Sequence, residues 1–234
     1  MDSPDRPLTR TEAQDAVGEL GWRLLLGELV TAVPLDSLAG GAGLLTAVAV
    51  ELGPDGEAHL RADLRPDRLR LSVQDRARGV VTAADVDVAR RVTAVLDRPL
   101  APLGTARTGA VQELEIAVDA LDIPAVQPFW AAVLALVRQP GDDRALVDPA
   151  GRLPAVWFQQ MDVGRPQRNR IHLDITVPHD VAERRVAAAL AAGGTLLSDA
   201  AARSFWVLAD AEGNEVCVCT WQDRDRPAGV SPAG

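Results

Sequence analysis

Two ionisable side chains in the C-terminal half stand at equivalent positions of an internal repeat. When the sequence is shifted by 57 positions, Glu115 falls on His172, and both lie in segments where apolar residues alternate with other types. A carboxylate and an imidazole can bind a divalent metal or exchange protons. Buried in a protein, such groups are costly unless they are hydrogen-bonded, metal-bound or reached by water. Their types and spacing therefore predict a polar ligand site rather than core packing.

The segments around these two residues predict the elements that position them. In the first copy we predict a helix at 124–136 and strands at 111–118, 145–147 and 156–161. In the second copy we predict a helix at 181–191 and strands at 170–177, 195–197, 204–208 and 215–221. The same shift places Gln160 on Cys217. The order predicts two tandem β-α-β-β-β modules.

These modules resemble the glyoxalase/bleomycin-resistance/extradiol-dioxygenase group, the vicinal oxygen chelate superfamily. The second module carries the resemblance through NRIHLD at 169–174 and DAEGNEVC at 210–217, and the first through VDALD at 118–122 and Phe129-Trp130. Gly213-Asn214 suits a tight turn into a strand. The resemblance implies a domain at 108–223 in which the two modules form a curled sheet around a cavity.

The resemblance also implies where a metal would bind. In catalytic members, four inward strand positions hold a divalent metal, and these positions fall on Glu115, Gln160, His172 and Cys217. Metal-binding members usually carry glutamate where Cys217 stands, and Glu215 would be out of register. We therefore favour a metal-free pocket, and we keep a divalent metal bound to His172 and Glu115 as the alternative.

The predicted ligand site consists of inward-facing strand residues of both modules. They are Glu115, Gln160, His172, Glu215, Cys217 and Trp206. Trp157, Trp206 and Trp221 are candidates for stacking walls, and core packing is the alternative for each.

The N-terminal half predicts a different α+β fold, in which helices cover one face of an antiparallel sheet. Thr9 and Thr82 are predicted to cap the first and third helices, the third at 83–96, and a second helix is predicted at 38–52. The predicted strands are at 23–26, 30–34, 59–64 and 68–73. The order is α-β-β-α-β-β-α in a domain at 8–98, and the prolines and glycine of 98–104 predict a linker.

This order, with Gly21-Trp22 and the run at 57–85, resembles pterin-4a-carbinolamine dehydratase. Aligned without gaps, the family's catalytic pattern matches His59 and Asp85, whereas Ala58 and Arg76 stand where it has histidines. The resemblance implies His59 and Asp85 as the catalytic residues. Dehydration needs groups that exchange protons near neutral pH, and arginine cannot. We therefore predict an inactive dehydratase-like domain, with an active dehydratase as the alternative. The alternative role for Asp85 is to place a negative charge in the first turn of a helix, where the helix dipole favours it.

The composition argues against several classes of function. A formal net charge of -9 argues against nucleic acid as a partner, because phosphate contacts need a basic face. No apolar run approaches the ~20 residues of a membrane-spanning helix, and no secretory signal is visible, so we expect a cytoplasmic protein without membrane contact. Cys217 and Cys219 lie two apart in a predicted strand, which is a poor spacing for a mutual disulfide.

Together these features predict a two-domain protein that binds a small organic ligand in its C-terminal cavity, and they leave open whether it transforms that ligand. An enzyme of lyase or dioxygenase type and a metal-free resistance or sequestering protein both fit this prediction. Both families commonly assemble through sheet edges or helices, so we also expect a homo-oligomer. The sequence does not identify the ligand.

Overall fold

The structure, a computed structural model, describes residues 4–98, 111–164 and 171–223. The chain divides into two units, Met1–Glu113 and Leu114–Gly234. The linker predicted at 98–104 lies outside the described residues except for Arg98. Among the helices of the described ranges, none is both long and apolar enough to cross a membrane.

The N-terminal unit has the predicted α-β-β-α-β-β-α order. Its helices are α1 (Arg10–Val17), α2 (Leu38–Glu57) and α3 (Ala83–Leu96), with a short 3₁₀ turn at Gly18–Leu20 after α1. Its strands are β1 (Arg23–Leu25), β2 (Glu28–Pro34), β3 (Leu60–Arg65) and β4 (Arg68–Val73). They form one antiparallel sheet in the order β1-β2-β4-β3.

Two capping boxes and one glycine set the helix ends in this unit. Thr9 caps α1 with Glu12, and Thr82 caps α3 with Asp85, as side chain and backbone exchange hydrogen bonds in both boxes. Helix α2 runs past its predicted end at 52, with a break at Gly53, whose φ of 65° favours glycine, before a final turn. One face of the sheet packs against the helices through the buried side chains of Leu29, Val33, Leu69, Leu71 and Val73.

The C-terminal unit contains the two predicted β-α-β-β-β modules. The first comprises β5 (Glu115–Ala120), α4 (Ile123–Leu134), β6 (Val137–Gln139), β7 (Asp142–Val147) and β8 (Ala155–Gln160). The second comprises β9 (Leu173–Thr176), α5 (Ala182–Ala191), β10 (Thr195–Ser198), β11 (Phe205–Ala209) and β12 (Glu215–Cys219). Each module forms a four-stranded sheet, ordered β5-β8-β7-β6 and β9-β12-β11-β10, in which the first and last strands pair in parallel.

Both sheets bury one face against helices α4 and α5 in a shared core. In the second sheet, Leu173, Ile175, Val216 and Val218 contribute to this core. Strand side chains alternate, so the residues between them point to the other side. We call that side the helix-distal face of the second sheet; it carries Asp174, Thr176, Glu215, Cys217 and Cys219.

The two modules have the same order of strands and helix, but equivalent residues are not always 57 positions apart. Ile116 pairs with Val156 and Leu173 pairs with Val216, so the last strands are related by 60 positions when the first strands are related by 57. The second strands are related by 58 and the third strands by 62, because six residues join β10 to β11 where two join β6 to β7. The gapless alignment is therefore wrong at the last strand: the counterpart of Cys217 is Trp157, not Gln160.

Two strands also begin later in the sequence than predicted. Residues 111–114 have no regular structure before Glu115, and residues 171–172 have none before β9. Arg170, the predicted first residue of that strand, lies outside the described residues. His172 therefore immediately precedes its strand.

Candidate functional site

Three potential metal ligands converge on the helix-distal face of the second sheet. Asp174 in β9 pairs directly with Cys217 in β12, and His172 lies two residues before Asp174. Alternation along β9 places His172 and Asp174 on the same side. One ligand atom from each of the three residues lies within 4.8 Å of the others. We call His172, Asp174 and Cys217 the donor cluster.

The members of the donor cluster differ in their exposure to solvent. The side chains of His172 and Asp174 are 60% and 57% exposed, and His172 Nε2 lies 3.5 Å from Asp174 Oδ1. Cys217 is buried, with 9% exposure. Burial, a hydrogen bond to Asp174 and the carboxylate charge raise the pKa of the Cys217 thiol to about 12. Without a bound cation, the thiol is therefore protonated at neutral pH.

The chemistry of these donors fits a borderline metal ion such as Zn²⁺. Thiolate, imidazole and carboxylate are all zinc ligands, and three protein ligands leave a fourth position for water or substrate. Hard cations such as Mg²⁺ prefer a set made of oxygen atoms alone. Metal binding here would require loss of the thiol proton.

The other residues predicted for the ligand site fall into two groups. Glu215 lies half-buried on the helix-distal face two residues before Cys217, and its charge contributes to the raised pKa of that thiol. Glu115 is exposed at the start of β5 and is not among the donor atoms that lie within 4.8 Å of one another in the described ranges. The structure thus brings His172 together with Asp174 rather than with Glu115.

Gln160 and Trp206 lie on the core side of their sheets. The Gln160 amide donates to the carbonyl oxygen of Leu121 at 2.9 Å, which ties the end of β8 to the turn after β5. Trp206 is 9% exposed and belongs to the core between sheets and helices. Trp157 and Trp221 differ from Trp206: Trp157 is half-buried, and Trp221 is 61% exposed and donates to His179 Nδ1 at 3.3 Å.

Sequence reasoning missed Asp174 as a site residue. The signal was available, because in His172-Leu173-Asp174 the two polar residues are separated by one apolar residue and must share a strand face. Within this segment, the superfamily pattern marks only His172 as a ligand position.

In the N-terminal unit, the structure brings His59 and Asp85 together. His59 Nδ1 lies 2.7 Å from Asp85 Oδ1, and the Asp85 side chain is fully buried at the start of α3. The other oxygen of Asp85 accepts hydrogen bonds from the backbone N–H and the hydroxyl of Thr82, both at 2.7 Å. Asp85 therefore caps its helix and orients the imidazole at the same time. Arg76 lies nearby and donates from Nη1 to the carbonyl oxygen of His59 at 3.2 Å.

The closing motif at 210–217 has a structural role. Asp210 Oδ1 accepts from the backbone N–H groups of Glu212 and Asn214, both at 2.9 Å. Asp148 in the first module forms an equivalent turn, in which its carboxylate accepts from the N–H groups of Ala150 and Arg152 at 2.8 Å. A glycine with positive φ follows in each turn, at 65° for Gly151 and 87° for Gly213.

Comparison with known proteins supports part of this picture. A family profile described as a glyoxalase-like domain matches residues 115–219. Among curated proteins, none matches the chain. Similar solved structures include a glyoxalase-related enzyme from Fulvimarina pelagi, with 18% identity over 47% of this chain and 87% of that chain and a TM-score of 0.36.

Two further solved structures are similar at the same level. A glyoxalase/dioxygenase from Nostoc punctiforme has 14% identity over 45% of this chain and 88% of that chain, with a TM-score of 0.36. A transcriptional coactivator/pterin dehydratase from Brucella melitensis has 18% identity over 38% of this chain and 98% of that chain, with a TM-score of 0.35. Similarities this low carry no argument about activity. The profile match and the paired β-α-β-β-β modules show that residues 115–219 are a glyoxalase-like domain.

Proposed function

We propose that the glyoxalase-like domain binds a small organic ligand at the helix-distal face of its second sheet, next to a divalent metal ion held by the donor cluster. The observation that carries this proposal is the convergence of His172, Asp174 and Cys217 within 4.8 Å. When bound, a divalent metal would act as a Lewis acid that polarises an oxygen atom of the ligand. We further propose domains at 8–98 and 108–223, the first dehydratase-like and without dehydratase turnover.

The surroundings of the donor cluster support an organic ligand rather than a purely structural metal. His172 and Asp174 are more than half exposed, whereas a closed structural site surrounds its metal with protein ligands. Along the same face, Cys217 pairs with Val207 and Cys219 pairs with Phe205, so apolar side chains continue the surface beside the polar group. Polar anchors beside an apolar surface are typical of small-molecule sites.

Substitution of Co²⁺ into the metal-free protein tests the metal site. Cobalt bound by a thiolate gives a ligand-to-metal charge-transfer band in the near ultraviolet, which reports directly on Cys217. We expect this band in the wild-type protein and its loss in His172→Ala and Cys217→Ser. His179→Ala is the matched control, because His179 is a histidine of the same unit that contacts Trp221 rather than the donor cluster.

A protein that binds no Co²⁺ or Zn²⁺ would contradict the metal site and would favour the metal-free resistance or sequestering function. The raised pKa of the Cys217 thiol favours this second function, because a thiol that keeps its proton at neutral pH is a poor metal ligand. A screen of small molecules read by intrinsic tryptophan fluorescence then tests ligand binding by itself, because Trp157 and Trp221 are accessible to quenching.

A further inference from the structure

One side of the Arg76 guanidinium in the N-terminal unit lacks hydrogen-bond acceptors. Nη1 donates to the carbonyl oxygen of His59, but Nε and Nη2 are both covered from solvent and, among the described residues, neither has a partner. Buried N–H groups without acceptors are costly, and more so on a charged group. Their burial also lowers the pKa of Arg76.

The two unpaired nitrogens are the pair that recognises planar oxyanions. In an arginine side chain, the hydrogens of Nε and Nη2 point the same way and form a fork that fits both oxygens of one carboxylate. Nη1 is anchored to the backbone of His59, which fixes the direction of this fork. The unsatisfied edge is thus fixed in direction, and an oxyanion would pair with it by displacing the atoms that now cover Nε and Nη2.

Ser72 of β4 provides a second unsatisfied donor, four residues before Arg76 in the sequence. Its side chain is fully buried, and within the described ranges its hydroxyl has no hydrogen-bond partner. Leu71 and Val73 on either side pack into the core under the helices, so Ser72 points to the opposite face of the sheet. There it pairs with Arg61 of β3, whose positive charge is one of the causes that lower the pKa of Arg76.

The charges around Arg76 favour a ligand with a single negative charge. Arg61 and Arg76 are opposed by Glu28, whose carboxylate lies 3.8 Å from Arg61, and by Asp85, which is bonded to His59. These four charges sum to zero. A ligand with two negative charges would be repelled by the carboxylates of Glu28 and Asp85, whereas a ligand with a single carboxylate would pair with the fork at a smaller electrostatic cost. The partly exposed side chains of Arg61 and His59, at 39% and 25%, mark the side on which solvent reaches the group.

We infer that the N-terminal unit binds a small organic monocarboxylate, whose two oxygens pair with Nε and Nη2 of Arg76 and whose edge lies beside Ser72 and Arg61. The arginine that removes dehydratase chemistry from this site thereby supplies recognition of an anion. The Nδ1 atom of His59 is bonded to Asp85, so Nε2 is the ring nitrogen that remains to meet a ligand. This site belongs to the N-terminal unit and does not depend on the function proposed for the glyoxalase-like domain.

Arginine side-chain NMR of the full-length protein tests this inference directly. With ¹⁵N-labelled arginine, the Nε–H resonance of Arg76 is identified by its loss in Arg76→Lys. We expect sodium acetate and sodium benzoate to shift this resonance downfield in a saturable way, with sodium chloride at equal ionic strength as the blank. Sodium phosphate distinguishes the class of oxyanion, and we expect it to bind at least about tenfold more weakly.

The variants separate a binding role from a structural one. Arg76→Lys keeps the charge but lacks the fork, and we expect at least about a tenfold loss of benzoate affinity by calorimetry. Arg68→Lys, an exposed arginine paired with its neighbour Asp67, is the control and should bind as the wild type does. Should Arg76→Lys not fold, Ser72→Ala replaces it, because removing an unsatisfied buried hydroxyl leaves folding intact and should weaken binding about threefold or more.

Three results would overturn the inference. They are an Arg76 resonance that does not respond to acetate or benzoate, a benzoate affinity that is unchanged in Arg76→Lys or Ser72→Ala, and phosphate binding as tight as that of benzoate.

Discussion

The indole Nε1 of Trp130 donates a hydrogen bond of 2.9 Å to the buried Oδ2 of Asp210, across the two modules of the glyoxalase-like domain. Trp130 belongs to α4 in the first module, and Asp210 opens the turn before β12 in the second. The next acidic residue of that turn, Glu212, accepts from the backbone N–H groups of Leu121 and Asp122. The motif that carries the family resemblance thus also fastens the modules to each other.

We predict that Asp210→Asn lowers the free energy of unfolding by about 2–4 kcal/mol. The asparagine would place an NH₂ group where a carboxylate oxygen of Asp210 accepts hydrogen bonds, so that donors would face a donor. Asp210 accepts from Trp130, from Asn214 Nδ2 and from two backbone groups. Asp148→Asn is the control: Asp148 forms the equivalent turn but is only half-buried, so we expect about half that loss. Urea unfolding followed by circular dichroism measures both, and equal losses would contradict the role of the buried indole contact.

Asp174 and Glu115 make a matched pair for the metal site. We predict that Asp174→Asn lowers the affinity for Zn²⁺ at least about tenfold, because it removes an anionic ligand from the donor cluster. Glu115→Gln should bind Zn²⁺ as the wild type does, since Glu115 lies outside the cluster. Competition with a chromogenic chelator measures the two affinities. If Glu115→Gln lowered the Zn²⁺ affinity more than Asp174→Asn did, the result would favour the ligand pair predicted from the sequence, His172 and Glu115.

The thiol of Cys217 should make the metal-free protein less stable at alkaline pH. Its pKa is raised from 9.0 to about 12 in the folded state, so the unfolded chain loses this proton first as the pH rises. The stabilisation from the protonated thiol is complete below pH 9.0 and is lost as the pH rises from there toward about 12. The slope contributed by this one group is at most about 1.4 kcal/mol per pH unit.

Cys217→Ala tests this pH dependence. Unfolding in urea between pH 8 and 10.5, about the practical range, should show a shallower decline in the variant, with EDTA present to exclude metal. Cys219→Ala is the comparison: Cys219 lies on the same strand face outside the donor cluster and contributes less to the raised pKa of Cys217, so we expect a smaller change than in Cys217→Ala. Parallel curves for wild type and Cys217→Ala would show that the thiol has an ordinary pKa.

The two capping boxes should differ in their contribution to stability. Thr82 is 1% exposed and shares Asp85 with His59, whereas Thr9 is exposed and pairs with Glu12 at the surface. We predict that Thr82→Ala costs about 2 kcal/mol and Thr9→Ala about 0.5–1 kcal/mol in free energy of unfolding. Thermal unfolding of both variants measures the difference. A Thr9→Ala loss as large as that of Thr82→Ala would show that burial does not strengthen the cap.

Local signals were enough to predict much of the fold. The bounds of α3 and β4 match the predicted ones, because a capping threonine and strict alternation are properties of neighbouring residues. Helix α2 is predicted to end at Leu52, and it continues for one more turn after a kink at Gly53, whose φ is 65°.

The candidate site depends on the register in which strands pair, and sequence signals within single segments do not determine that register. His172 and Cys217 were predicted to share a site, and they do lie together. Gln160 was aligned with Cys217 because a gapless shift cannot represent turns of different length, and strand pairing replaces it with Trp157. Asp174 enters the cluster through parallel pairing with a strand some 40 residues later, a contact that a reading of single segments does not reveal.

The changing offset between the two modules lies in the turns rather than in the strands. Six residues join β10 to β11 where two join β6 to β7, and the turn that leads to the last strand is shorter in the second copy, yet both copies keep an aspartate and a positive-φ glycine in that turn. The modules thus differ in length in their turns, where few hydrogen bonds between strands constrain the backbone. The β10–β11 turn is consequently the natural place to graft a foreign peptide, and a search for further copies of this module should score strands and turns separately.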